Sequence, residues 1–165
     1  MYKTREMNQV FVKAAKERLY LDRKLEGKVR ASNGHWMLVL DERSIDAQFR
    51  GYFGEVNGEG GNWNSGVFND VPSLDLGCVW KPSDATIELN ITKTINAQFQ
   101  SRVGEPARLL QGEGIELHIR EDYLLMAHRI FGDNLVIKAS AADRNVYLWI
   151  KDECVATIMP IRIND

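Results

Sequence analysis

The chain has 165 residues, of which 44% are apolar and 27% charged, with a net charge of −2. That balance points to one globular domain with a core and excludes a disordered or collagenous chain. No apolar run approaches the roughly 20 residues needed to cross a bilayer, and the polar start Met1-Tyr2-Lys3-Thr4-Arg5-Glu6 does not lead into a secretory h-region.

The first segment has helical spacing: Met7, Val10, Phe11 and Ala14 fall on one stripe, with Thr4 as N-cap. The spacing predicts a helix ending near Leu21, before the charged Asp22-Arg23-Lys24. Its cations lie off the apolar stripe. Residues 1–30 hold nine of the 21 basic side chains and four of the 23 acidic ones, so this segment is +5 and the other 135 residues are −7. A basic helix on an acidic body faces a polyanion or simply solvent.

Asn33-Gly34 between two apolar runs predicts a hairpin, with a type I′ turn that needs positive φ at both residues. From Asp41 to about Asp84 the periodicity fails, and glycines and asparagines punctuate an insertion (about 42–84) expected to be irregular. Within it, short strands are expected near residues 49–53 and 74–80, and a mobile loop over 56–65. Strict alternation marks a strand over 85–92 and another over 115–119. Residues 107–110 read as either a helical turn or a short strand. Helical spacing over 120–131, with Tyr123, Ala127 and Ile130 on one side and Gly132 to stop it, precedes three strands (134–140, 145–151 and 155–163). Asp143-Arg144-Asn145 and Asp152-Glu153 supply the turns between them. The expected class is α+β, a mainly antiparallel sheet with two amphipathic helices on one face, and two helix-then-strands halves suggest an internal duplication.

Signals for chemistry are few. His35, His118 and His128 lack partners at ligand spacing, and Cys78 and Cys154 stand apart with no nearby base, so neither a metal site nor a catalytic residue is assigned. No cofactor motif is present. Two widely spaced cysteines, both reduced, fit a reducing cytoplasm.

Two segments point to binding instead: Ala31-Ser32-Asn33-Gly34-His35-Trp36-Met37, and the closing strand Val155-Ala156-Thr157-Ile158-Met159-Pro160-Ile161-Arg162-Ile163. Pro160 removes a ladder donor and belongs on an edge or at a bulge. The second segment follows Tyr123-Leu124-Leu125 and two further strands. In that order it resembles the end of the third domain of a bacterial DNA polymerase sliding clamp (the β processivity subunit), whose last strand closes Met-Pro-x-Arg-hydrophobic. The first segment is similar to the clamp's Ala-Thr-Asp-Gly-His-Arg-Leu hairpin. Together the matches cover about a third of the chain.

The resemblance implies a non-enzymatic clamp-like domain that holds duplex DNA without sequence preference and docks replication or repair proteins through short peptides. It implies a homo-oligomer, since one chain offers one two-helix unit. Lys13, Lys16, Arg18, Arg23 and Lys24, with Arg120 and Arg129 from the second helix, would face DNA. Ser32, Gly34, His35 and Trp36 would form one wall of a peptide pocket and Met159 and Pro160 the other, with Trp36 standing where the family has Arg. A divergent member of this kind suits a phage or plasmid. The alternative is a viral or plasmid interaction or assembly module, structural or host-inhibitory, that presents the aromatics of residues 62–68 and does not bind DNA. A third reading, a carbohydrate-binding sandwich using Trp63 and Trp80, is disfavoured by the two helices.

Overall fold

The computed structural model describes residues 3–45, 47–54, 60–70, 74–96, 105–141 and 145–161. Over these residues the chain is α+β, with eleven strands. It divides into two compact units, Met1–Trp80 and Lys81–Asp165. Strand pairing within each unit is antiparallel.

The first unit opens with α1 (Thr4–Glu17), which buries Met7, Phe11, Ala14 and Ala15. That is the spacing of one apolar stripe, and burial of this stripe supplies most of the helix's stability. The helix stops at Glu17, four residues earlier than expected from its pattern, and the chain continues directly as β1 (Arg18–Asp22). No glycine or proline ends it. The backbone N–H groups of Ser65 and Gly66 donate to the carbonyls of Glu17 and Ala15, at 3.2 and 3.0 Å. A distant segment thereby satisfies carbonyls that a helix end leaves open. Leu19 and Leu21 then alternate into the core as strand residues.

The expected hairpin is present as β2 (Lys28–Ser32) and β3 (Trp36–Asp41). Its turn differs from the expected I′ geometry, because Gly34 has φ +92 while Asn33 is not in the positive region. The Asn33 carboxamide oxygen accepts from the N–H groups of His35 and Trp36, which makes an Asx turn. The insertion is more regular than its composition suggests. Residues 49–53 lie in a helix, α2 (Ala47–Gly54), rather than a strand. Part of the expected loop is a hairpin, β4 (Gly61–Asn64) and β5 (Val67–Asn69). The rest of that loop, 56–59, lies outside the described residues. Residues 74–80 form turns rather than a strand and bury Leu76 against Met37 and Val39.

Strand order in this unit is β5-β4-β1-β2-β3, with α1 packed on β1 and β4. An aromatic chain joins the insertion to the helix. Phe11 meets Phe49 edge-on at 5.3 Å, Tyr52 lies against Phe49 at 6.1 Å, and Trp63 meets Tyr52 at 5.2 Å and Phe68 at 5.4 Å. Across β1 and β2, Asp22 takes both Arg30 Nε (2.8 Å) and Nη2 (2.7 Å), and both side chains are almost fully buried.

The second unit contains β6 (Ala85–Asn96), β7 (Ala107–Gly112), β8 (Ile115–Arg120), α3 (Glu121–Phe131), β9 (Val136–Ser140), β10 (Val146–Ile150) and β11 (Glu153–Ile158), in the order β11-β10-β9-β6-β7-β8. Residues 107–110, open between helix and strand by pattern, pair along β6 and β8. The helix α3 buries Tyr123, Leu124, Ala127 and Ile130 and ends where Gly132 turns to φ +88 and donates to the His128 carbonyl. Arg108 fixes its first turn: Nε and Nη2 lie 2.7 and 2.6 Å from the Glu121 carboxylate, and Nη1 donates to the Thr92 carbonyl. The bidentate bond to Glu121 raises the Arg108 pKa above its ordinary value.

The last described strand stops at Ile158, so Pro160 lies just beyond the ladder, where its missing N–H removes nothing. The Ile161 N–H then donates to the His118 carbonyl on β8 at 2.7 Å. Arg162 and Ile163, and the turn residues Asp143 and Arg144, lie outside the described residues.

Candidate nucleic-acid interface

The fold exposes one basic surface clearly. With Met7, Phe11, Ala14 and Ala15 turned inward, α1 presents Arg5, Gln9, Val12, Lys13 and Lys16 to solvent. Arg5, Gln9, Val12 and Lys16 follow a helical repeat along one stripe, and Lys13 lies beside it. At 1.5 Å per residue this stripe runs about 16 Å. Glu17 is the one exposed acid among residues 3–18, and Lys3 and Arg18 extend the cationic character at either end. Lysine and arginine held on a rigid rod with high exposure suit phosphate neutralisation, which demands positive charge but no base-edge geometry.

The other cations expected to join them are placed variously. Lys24 is exposed, and its backbone N–H bonds the Asp22 carboxylate. Arg23 is partly buried, with Nη2 3.4 Å from Glu42. Arg129 is exposed on α3. Arg120 is committed locally: its Nε lies 2.9 Å from Asp122, and its guanidinium sits 4.1 Å from the centre of the Tyr123 ring. With Glu121 and Asp122 in its first turn, the start of α3 is acidic, so Arg129 is the cation that this helix offers outward. Arg5 joins the basic surface although the clamp resemblance does not single it out; its signal in the sequence is its place on the Gln9, Val12 and Lys16 stripe.

The residues expected to contact peptides fall in both units. In the first, Ser32 is buried, and its hydroxyl donates to the Trp36 carbonyl and accepts from the Gly34 N–H. Trp36 is buried as well, at 4% exposure, while His35 is exposed and Gly34 partly so. Where the resemblance has a polar Arg, the Trp36 ring serves the core. In the second unit Met159 is exposed and Pro160 partly buried.

No group of three or more His, Cys, Asp or Glu among the described residues is placed to hold a metal ion. No helix among them is long and apolar enough to cross a membrane. Burial pushes the Cys154 thiol up to about 12, whereas Cys78 is exposed and lies 3.3 Å from the Asp75 carboxylate. Asp75 itself is held below its ordinary value by the Gly77 N–H and the Cys78 thiol. The sequence matches no protein-family model, and no curated protein or solved structure matches it either.

Proposed function

We propose that the chain is a non-enzymatic, sliding-clamp-like module that contacts duplex DNA through its backbone and docks replication or repair proteins through short peptides. The cationic stripe of α1 carries this reading, because it sets Arg5, Lys13 and Lys16 on a helix whose opposite side is buried. The repeated order of elements supports it: each unit has a helix followed by a three-stranded antiparallel meander, α1-β1-β2-β3 and α3-β9-β10-β11. A helix backed by sheet is the arrangement that the clamp resemblance implies. In this reading the chain works as a homo-oligomer, and Lys13, Lys16, Arg18 and Lys24 in the first unit and Arg129 in the second are separately testable DNA contacts. Gly34 and His35 in the first unit and Met159 and Pro160 in the second are separately testable peptide contacts.

The experiment is a gel-shift titration of long duplex DNA across a salt series, with solution mass measured with and without DNA. Each phosphate contact contributes about −0.9 to the slope of log affinity against log salt, so Lys13→Gln/Lys16→Gln flattens the slope by about 2. No retardation at low salt, or a slope unchanged in the double variant, refutes the reading. A second reading, an assembly module without DNA contact, is favoured by Val67, 62% exposed on the edge strand β5. In that case the same double variant leaves every measured association untouched.

A further inference from the structure

Beside α1, the helix of the insertion builds a groove of about 600 Å³. Val12, Phe49 and Tyr52 give it an apolar floor, and Asn8, Gln9, Lys13 and Lys16 line it as well. We infer that this groove binds a short acidic peptide, its apolar side chains on the floor and its Asp or Glu residues at Lys13 and Lys16.

Three observations carry the assignment. Val12 is 40% exposed on a helix whose Met7 and Phe11 are fully buried, so an apolar contact is available at that point. The floor is held in place before any ligand arrives. Phe49 is wedged between Phe11 and Tyr52, and the Trp63 indole N–H points at the Tyr52 carbonyl at 3.5 Å. A preformed floor avoids the ordering penalty that weakens binding to a mobile surface. The charges are cationic and one helical turn apart, which places two ammonium groups beside an apolar strip. That combination complements a peptide with apolar anchors flanked by carboxylates. The volume lies within the range of built ligand sites and admits two or three side chains. A duplex could satisfy the lysines but has nothing to lay on the floor.

Peptide binding here does not depend on DNA binding, although both ligands draw on Lys13 and Lys16, so peptide and duplex compete. The probe is a labelled synthetic peptide with Leu and Phe at helical spacing flanked by Asp and Glu, followed by fluorescence anisotropy on the full chain. A control peptide replaces the acids with Lys. Val12→Asn, at an exposed helix position, weakens the acidic peptide by about fivefold through the lost apolar contact and leaves duplex retardation unchanged. Lys13→Gln/Lys16→Gln weakens peptide and duplex together. Equal binding of the acidic and Lys peptides, or no response to Val12→Asn, overturns the inference. So does binding of a single-stranded oligonucleotide that Val12→Asn abolishes, which would make the occupant a nucleic acid. Peptide binding without DNA retardation refutes the DNA reading alone, and the reverse refutes this inference alone.

Discussion

The ion pair between Asp22 and Arg30 gives the sharpest test of how the first unit is held together. Its side chains are 5% and 4% exposed, and two hydrogen bonds of 2.8 and 2.7 Å join them in a parallel fork. Asp22→Ala leaves a guanidinium buried with two donors unmatched. Breaking a buried pair from one side costs about 3–5 kcal/mol, because the remaining charge keeps its desolvation penalty and loses its partner. The Asp22 carboxylate also accepts from the Lys24 N–H, so the turn after β1 loosens as well. With a urea m-value of about 2 kcal/mol/M, the unfolding midpoint of this unit falls by about 2 M. Asp22→Leu/Arg30→Met removes both charges and leaves no orphan, so it recovers most of the loss. The more exposed pair Arg23–Glu42, 3.4 Å apart, is the internal control, and Glu42→Ala costs under about 1 kcal/mol. Urea unfolding followed by tryptophan fluorescence and far-UV circular dichroism reads all four proteins. A loss below about 1 kcal/mol for Asp22→Ala, or a double variant as unstable as Asp22→Ala itself, refutes the reasoning.

Gly112→Ala sets a methyl group 2.5 Å from the Glu88 carbonyl oxygen and 2.7 Å from Leu89, so β6 and β7 must separate locally. A loss of about 1–3 kcal/mol in the unfolding of the second unit is expected, and a neutral result contradicts the close approach. In the native protein at pH 8, Ellman's reagent reacts quickly with Cys78, while Cys154, 9% exposed, reacts only as the chain unfolds. Two equally fast thiols contradict this burial. Because the folded state raises the Cys154 pKa from 9.0 to about 12, its contribution to stability is complete below pH 9 and is lost as pH rises toward 12. Cys154→Val flattens that alkaline decline, measured as unfolding midpoint against pH.

Legibility in the sequence follows the range of the interactions that decide each element. The helix α3 is readable because Tyr123, Ala127 and Ile130 state its buried side and Gly132 states its end. The strand β6 is readable through its alternation, as is the hairpin of β2 and β3. The end of α1 is not, since Leu19 lies four residues after Ala15 and continues the helical pattern; what stops the helix is Ser65 and Gly66, far along the chain. The type I′ geometry expected at Asn33-Gly34 occurs at Ser65-Gly66, where φ is +51 and +78. There the short polar strand Asn62-Trp63-Asn64 hides the hairpin, because its partner β1 lies outside any local window. The basic character of α1 is legible from composition, whereas the groove beside it is not, since the local pattern sets Phe49 and Tyr52 on a strand. Arg120 reads as an outward cation of the helix, but it ends β8, and Asp122 and the Tyr123 ring of the first turn of α3 engage it there.

The tip of the β4–β5 hairpin is also the clasp of the first helix. Its two amide donors occupy the carbonyls of Ala15 and Glu17, within a residue of Lys16 on either side. Unlatching that tip therefore frays the last helical turn, and local opening of the hairpin and of the turn carrying Lys16 forms one cooperative event. Anything that prises this hairpin tip thus acts on the turn carrying Lys16 through the backbone, with no need for a side-chain relay.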